Sequence, residues 1–134
     1  MNDELKEKLR ALIEDRLAPL LEMCHAYHFS SHSDTIELHV TETKDDVSSR
    51  ILIRLYSPDG WGQVHIPNIS LPAKWKGHRR GLRLIRDIFE LCDRHRCPLF
   101  ITHMTPSFYA YLQSIGAVAI DEDTVEVMPE TRLT

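Results

Sequence analysis

Apolar and polar positions change period twice along this chain. Leu5, Leu9, Leu12, Ile13 and Leu17 recur at helical spacing with charges between them, which predicts an amphipathic helix over residues 3–18. Pro19 cannot sit comfortably inside that helix but suits the first turn of a second one, running to about Tyr27. Ser30-Ser31-His32-Ser33-Asp34 is a polar break. From Thr35 the period becomes two. Ile36, Leu38 and Val40 alternate with Glu37, His39 and Thr41, the pattern of a half-buried strand. Lys44-Asp45-Asp46 marks a turn, Arg50–Tyr56 a second strand, and Pro58-Asp59-Gly60 another turn. Trp61–Leu71 reads as a third strand of an antiparallel meander. Pro67 removes a ladder donor within it and predicts a bulge or an unpaired position there.

The helical period then returns. Leu82, Ile85, Ile88, Phe89 and Cys92 share one face, with Arg83, Arg86, Asp87, Glu90 and Arg94 mostly away from it. Beyond Pro98, Leu99-Phe100-Ile101 begins a short apolar strand, expected to be buried and parallel to Trp61–Leu71 through a right-handed crossover. Pro106 opens a short helix that ends at the C-cap glycine Gly116. Ala117–Ile120 and Thr124–Met128 complete the sheet around Asp121-Glu122-Asp123. These elements predict a single α/β (α+β) domain over residues 1–134, with no repeat and no interdomain linker. Its mixed, mostly antiparallel sheet is flanked by helices. A helical segment over 1–28 precedes the first clear strand, with the sheet and later helices over 35–128.

The join between the third strand and the long helix is chemically the densest stretch: Pro72-Ala73-Lys74-Trp75-Lys76-Gly77-His78-Arg79-Arg80-Gly81. Glycines, cations and the free N–H groups of a helix start together favour a bound phosphate. The plain alternative is a solvated helix start whose arginines keep the protein soluble.

Composition narrows the classes. At 134 residues the chain is long enough to bury a core unaided, and no apolar run approaches the length of a membrane span. The charged, amphipathic start is unlike a signal peptide. Three cysteines give no disulfide framework, which points to a reducing, cytoplasmic setting. A net charge of −4 argues against general nucleic-acid binding and makes the local basic cluster more conspicuous. Cys24-His25…His28…His32 and Cys92…His95…Cys97 hold metal-ligand residue types without paired zinc spacing, so no metal site is expected. Nucleophile-elbow, phosphate-loop and paired-carboxylate motifs are absent.

Across Thr35 to Met128 the order of elements resembles the GNAT superfamily of acyl-CoA-dependent N-acetyltransferases. The likeness is most specific from Ile69 to Gly116. That family's phosphate turn, Gln/Arg-x-x-Gly-x-Gly/Ala, is matched by Lys76-Gly77-His78-Arg79-Arg80-Gly81, with Leu84 and Ile85 in the places of its core leucines. Phe108-Tyr109-Ala110-Tyr111-Leu112-Gln113-Ser114-Ile115-Gly116-Ala117 is similar to its second cofactor-side helix. The resemblance implies acetyl transfer from acetyl-CoA to an amine by direct attack. Ile69, Leu71, Lys76, Gly77, His78, Arg79, Arg80 and Gly81 would then hold coenzyme A. The pantetheine arm would lie between the Ile69–Leu71 and Leu99–His103 strands, parted by the bulge at Pro67 and Asn68.

Such chemistry needs a base for the amine, a donor for the thioester carbonyl and a proton for the departing thiolate. Candidate bases are His65, His103, Glu37 and His39, and candidate proton donors are Tyr109 and Tyr111. Each also has a plain reading as a surface, capping or packing residue. Three features depart from the family. Arg79 replaces its first glycine, Leu112 stands where many members have a tyrosine, and no strand is evident before Thr35. They keep a second function open, a catalytically degenerate module of this fold that binds another protein. Relatives also form homodimers by exchanging strands or helices, so a homodimer is among the expected partners.

Overall fold

The computed structural model describes residues 3–71 and 80–133. Among them are four helices and seven strands in one open sheet: α1 (Asp3–Arg16), α2 (Ala18–Met23), β1 (Ala26–Ser31), β2 (Thr35–Thr41), β3 (Arg50–Tyr56), β4 (Val64–Ile69), α3 (Arg80–Arg94), β5 (Leu99–Ile101), α4 (Pro106–Ser114), β6 (Val118–Ala119) and β7 (Val125–Val127). The strand order is β1-β2-β3-β4-β5-β7-β6, and β4 with β5 is the parallel pair. Mixed α/β architecture with a mostly antiparallel sheet was the expectation, and the structure has it.

The early part of the chain corrects one expectation. The second helix does not run to Tyr27. It stops at Met23, Cys24 is already extended (φ −85°, ψ 154°), and β1 follows as a full partner of β2 from Ala26↔Thr41 to Ser31↔Ile36. Ser30 and Ser31, expected in a polar break, belong to that strand. Their neighbours explain why. Tyr27 and Phe29 face the same side as Val40 and Leu38, while His28 lies against His39 with the ring centroids 4.8 Å apart and stacked. Pro19 stands in the first turn of α2, as its fixed φ suggested.

One face of the sheet carries the core. Ile36, Leu38 and Val40 of β2, Leu52, Ile53 and Leu55 of β3, Val64 and Ile66 of β4, Leu99 and Ile101 of β5, and Val125 and Val127 of β7 are all buried. Two successive core residues occur in β3 because the register to β2 slips between Leu38 and His39, so Leu52 is an extra residue. Leu5, Leu9 and Ile13 of α1 and Leu84, Ile85, Ile88, Leu91 and Cys92 of α3 belong to the same core. Fully burying each large apolar side chain contributes about 1.5–3 kcal/mol before entropy is counted. Arg16 of α1 also reaches Asp87 of α3 at 2.8 Å, an exposed pair that registers the helices more than it stabilises them.

α3 ends in a left-handed turn at Arg96 (φ 54°), where Cys97 N–H bonds the Cys92 carbonyl at 2.9 Å and Arg96 N–H the Asp93 carbonyl at 2.9 Å. This is a Schellman cap whose customary apolar contact is made by Cys92 and Cys97. Gly116 ends α4 with φ +108°. A side chain there would press on the Glu130 carbonyl and Thr131 at 3.1–3.2 Å, so glycine is required by both backbone and space.

Candidate active site at the parted end of β4 and β5

The parallel pair is short. Val64, His65 and Ile66 stand opposite Leu99, Phe100 and Ile101, and just beyond them Thr102 N–H bonds the Ile66 carbonyl at 3.1 Å. β4 then continues to Ile69 alongside β3 alone. The expected bulge lies at this point. Tyr56 pairs with His65 and Arg54 with Asn68, so Ile66 and Pro67 together face Leu55.

The bulge decides which main-chain groups meet the gap. Val64 N–H bonds the Pro98 carbonyl on the β5 side at 2.9 Å, and Ser70 N–H bonds the Leu52 carbonyl on the β3 side at 2.8 Å. Counting back from Ser70 by the alternation of an extended strand, Ile69 and Pro67 turn towards the side β5 has left. Proline has no N–H to strand there, and Ile69 offers one donor to the opening.

Two helices begin at the same end. α3 starts at Arg80, and Gly81 lies close enough to β4's exit that an added Cβ would meet Leu71 Cδ1 at 3.7 Å. α4 starts just after β5 and is capped by Thr105, whose hydroxyl accepts from Phe108 N–H at 3.3 Å. The C-terminal end of a parallel pair, where helices start, is the usual ligand position in α/β sheets.

Of the predicted cofactor contacts, Ile69 and Leu71 lie at this end of β4, and Arg80 and Gly81 form the start of α3, with Gly81 next to Leu71. Lys76, Gly77, His78 and Arg79 lie outside the described residues. His103 lies two residues beyond the end of β5. It is exposed, holds an unusual positive φ of 56°, and its Nδ1 lies 3.7 Å from Asp123 Oδ2. Tyr109 donates its hydroxyl to the Asp121 carbonyl at 2.6 Å, so the β6–β7 turn gathers His103 and Tyr109 around one acidic segment. Backbone N–H bonding from Asp123 holds the Asp121 carboxyl below its ordinary range, against a smaller opposing effect of desolvation. Tyr111 is exposed, and Leu112 beside it is fully buried in the core.

His65 sits elsewhere. It lies on the sheet's other face, before the bulge, between Tyr56 and Phe100 with ring centroids 6.3 and 4.9 Å away. Its Nε2 is engaged by Gln63 Oε1 at 2.9 Å, and burial lowers its pKa, partly offset by Asp59. Glu37 and His39 share that face further along. Glu37 binds His39 through Oε1 at 3.0 Å and Arg54 through Oε2 at 3.0 Å. Both carboxylate oxygens are thus occupied, and Glu37 is a cross-strand linker in this structure.

Sequence reasoning missed the acidic turn as a partner of His103 and Tyr109. Its only signal was three acidic residues between two short strands. The Cys92…His95…Cys97 run is explained by the helix cap, and among the described residues no cluster of His, Cys, Asp and Glu could hold a metal ion. No helix among them is long and apolar enough to cross a membrane.

Among the described residues the fold is a mixed α/β architecture whose one short parallel pair ends at Ile66 and Ile101, with β4 running on alone beside β3. Neither a family model, nor a curated protein, nor a solved structure matches the chain.

Proposed function

We propose that this protein is an acyl-CoA-dependent N-acyltransferase with a GNAT-like site, moving an acetyl group from acetyl-CoA to an amine. The observation that carries this reading is the parting of β4 from β5 at Ile66-Pro67, with an Ile69 N–H turned into the gap. An extended pantetheine arm needs such a slot with main-chain donors on its wall. The starts of α3 and α4 favour the anionic end of the cofactor.

In the reaction the amine nitrogen bonds to the thioester carbon, the carbon–sulfur bond breaks and coenzyme A leaves as its thiolate. Ile69 N–H polarises the carbonyl oxygen as negative charge develops. Among the candidate bases His103 fits best, because it stands at the mouth with Nδ1 towards Asp123 and Nε2 left for the amine proton. Tyr111 is the more accessible phenol for returning a proton to sulfur, since the Tyr109 hydroxyl is spent on Asp121.

Calorimetric titration with acetyl-CoA and with CoA tests the reading. Saturable binding of both is expected, and His103→Ala should retain binding while losing turnover with amine acceptors. Absence of heat and of any thermal shift at millimolar ligand overturns it. The burial of Leu112 favours a second reading, a non-catalytic module that uses the same groove for a protein partner. Robust acetyl-CoA turnover with any amine excludes that alternative.

A further inference from the structure

The two edges of the sheet are finished differently. β6 is two residues long and runs into Asp121-Glu122-Asp123, a short edge with charges beside it. β1 at the other edge is six residues long, Ala26-Tyr27-His28-Phe29-Ser30-Ser31, and contains no Lys, Arg, Asp, Glu or Pro. Among the described residues its one strand partner is β2, and no bulge interrupts their register. Tyr27 is 41% exposed on the helix-side face of this edge. Among the described residues strand β1 itself thus carries no charge, proline or bulge against edge pairing. The α1 side chains that reach its helix-side face are of opposite sign, Glu14 on the Tyr27 hydroxyl and Arg10 over the Phe29 ring.

We propose that the β1 edge is a self-association surface, on which β1 of a second copy pairs antiparallel about a two-fold axis centred on His28. The two sheets then become one continuous sheet across the join. A second copy fits because the strand meets its own requirements. Tyr27 of each copy falls opposite Phe29 of the other on the helix-side face, forming two cross-strand aromatic pairs. Ala26 falls opposite Ser30, and His28 opposite the same residue of the second copy. The chain carries net charge −4, so two copies repel over most approaches, whereas strand β1 brings no like charges together. Six paired residues bury less than the ~800 Å² per partner of a standard interface, so the dimer forms with rising concentration. This inference stands independently of the acyltransferase reading.

Sedimentation velocity of the full chain from micromolar to millimolar concentration tests it. A monomer–dimer equilibrium is expected. Tyr27→Lys should shift it at least tenfold towards monomer, with circular dichroism confirming the fold. Val118→Lys on β6 should leave it unchanged. In a Cys24→Ser background, His28→Cys should cross-link symmetrically under mild oxidation. A monomer at all concentrations, a dimer indifferent to Tyr27→Lys, or a dimer in which His28→Cys does not cross-link overturns the proposal.

Discussion

At the Val64 end of β4 the chain is tied on every side, whereas at the Ile69 end β4 keeps β3 and loses β5. The tied end begins with Trp61, which is buried at φ 77°. Its backbone N–H bonds Ser57 Oγ, its indole N–H bonds the Ser33 carbonyl at 2.7 Å, and the Cys97 thiol reaches its carbonyl at 3.7 Å. Asp59 accepts from the N–H groups of Gly62 and Gln63 at 3.0 Å and from Ser57. Main-chain groups are used up within the fold at one end, whereas at the other the Ile69 N–H turns to the side that β5 has left.

The largest expected effect lies at Trp61, which anchors the tied end. Trp61→Ala removes the largest buried side chain among the described residues and leaves the Ser33 carbonyl without its donor. It should cost about 3–5 kcal/mol in urea unfolding. A loss below that of an ordinary surface substitution would show that the base is not held by this side chain.

Asp59 gives a smaller effect with a pH signature. Slight burial opposes its ionisation, but the bonds from Gln63, Ser57 and Gly62 outweigh that and lower its pKa from the ordinary 3.8. A carboxyl with a lowered folded pKa contributes stability that is present above 3.8 and is lost as pH falls through the folded value. Asp59→Asn should therefore flatten the thermal midpoint in that acid window and lower it modestly near neutrality. An unchanged acid profile would dismiss Asp59 as a fastener of the turn.

The smallest expected change lies at the open end. Gly81 has an ordinary backbone, and a methyl group would meet Leu71 at a comfortable 3.7 Å. Gly81→Ala should stabilise α3 by about 0.5–1 kcal/mol. If a phosphate approaches this backbone, the same change weakens acetyl-CoA binding about tenfold, or about 1.4 kcal/mol. Stabilisation with undiminished affinity would separate the glycine from the cofactor.

Much of this contrast was legible in the residues. β2 and β3 emerged with their observed limits because alternation there is strong and one face is wholly buried. Pro67 announced the bulge, since a missing donor is visible in sequence. β1 was hidden because its few apolar residues are aromatic, lie on an edge and follow a helix directly. Trp61 was read as the start of a strand. The left-handed backbone at Gly60 and Trp61 delays β4 to Val64, and a tryptophan with positive φ has no sequence signature. The contacts of His103 and Tyr109 with the acidic turn come from β7 inserting beside β5, a long-range pairing that local pattern does not encode.

The position of α1 has a consequence for synthesis. Arg16 meets Asp87 across 71 residues, so the partner of α1 is made long after α1 itself. At ordinary translation speeds that interval is roughly 4–14 s. During it Leu5, Leu9 and Ile13 have no α3 to cover them, while the β1–β4 meander can already assemble from neighbouring strands. The nascent chain thus holds α1 through its β1-hairpin contacts alone for seconds, with the side meant for α3 still uncovered.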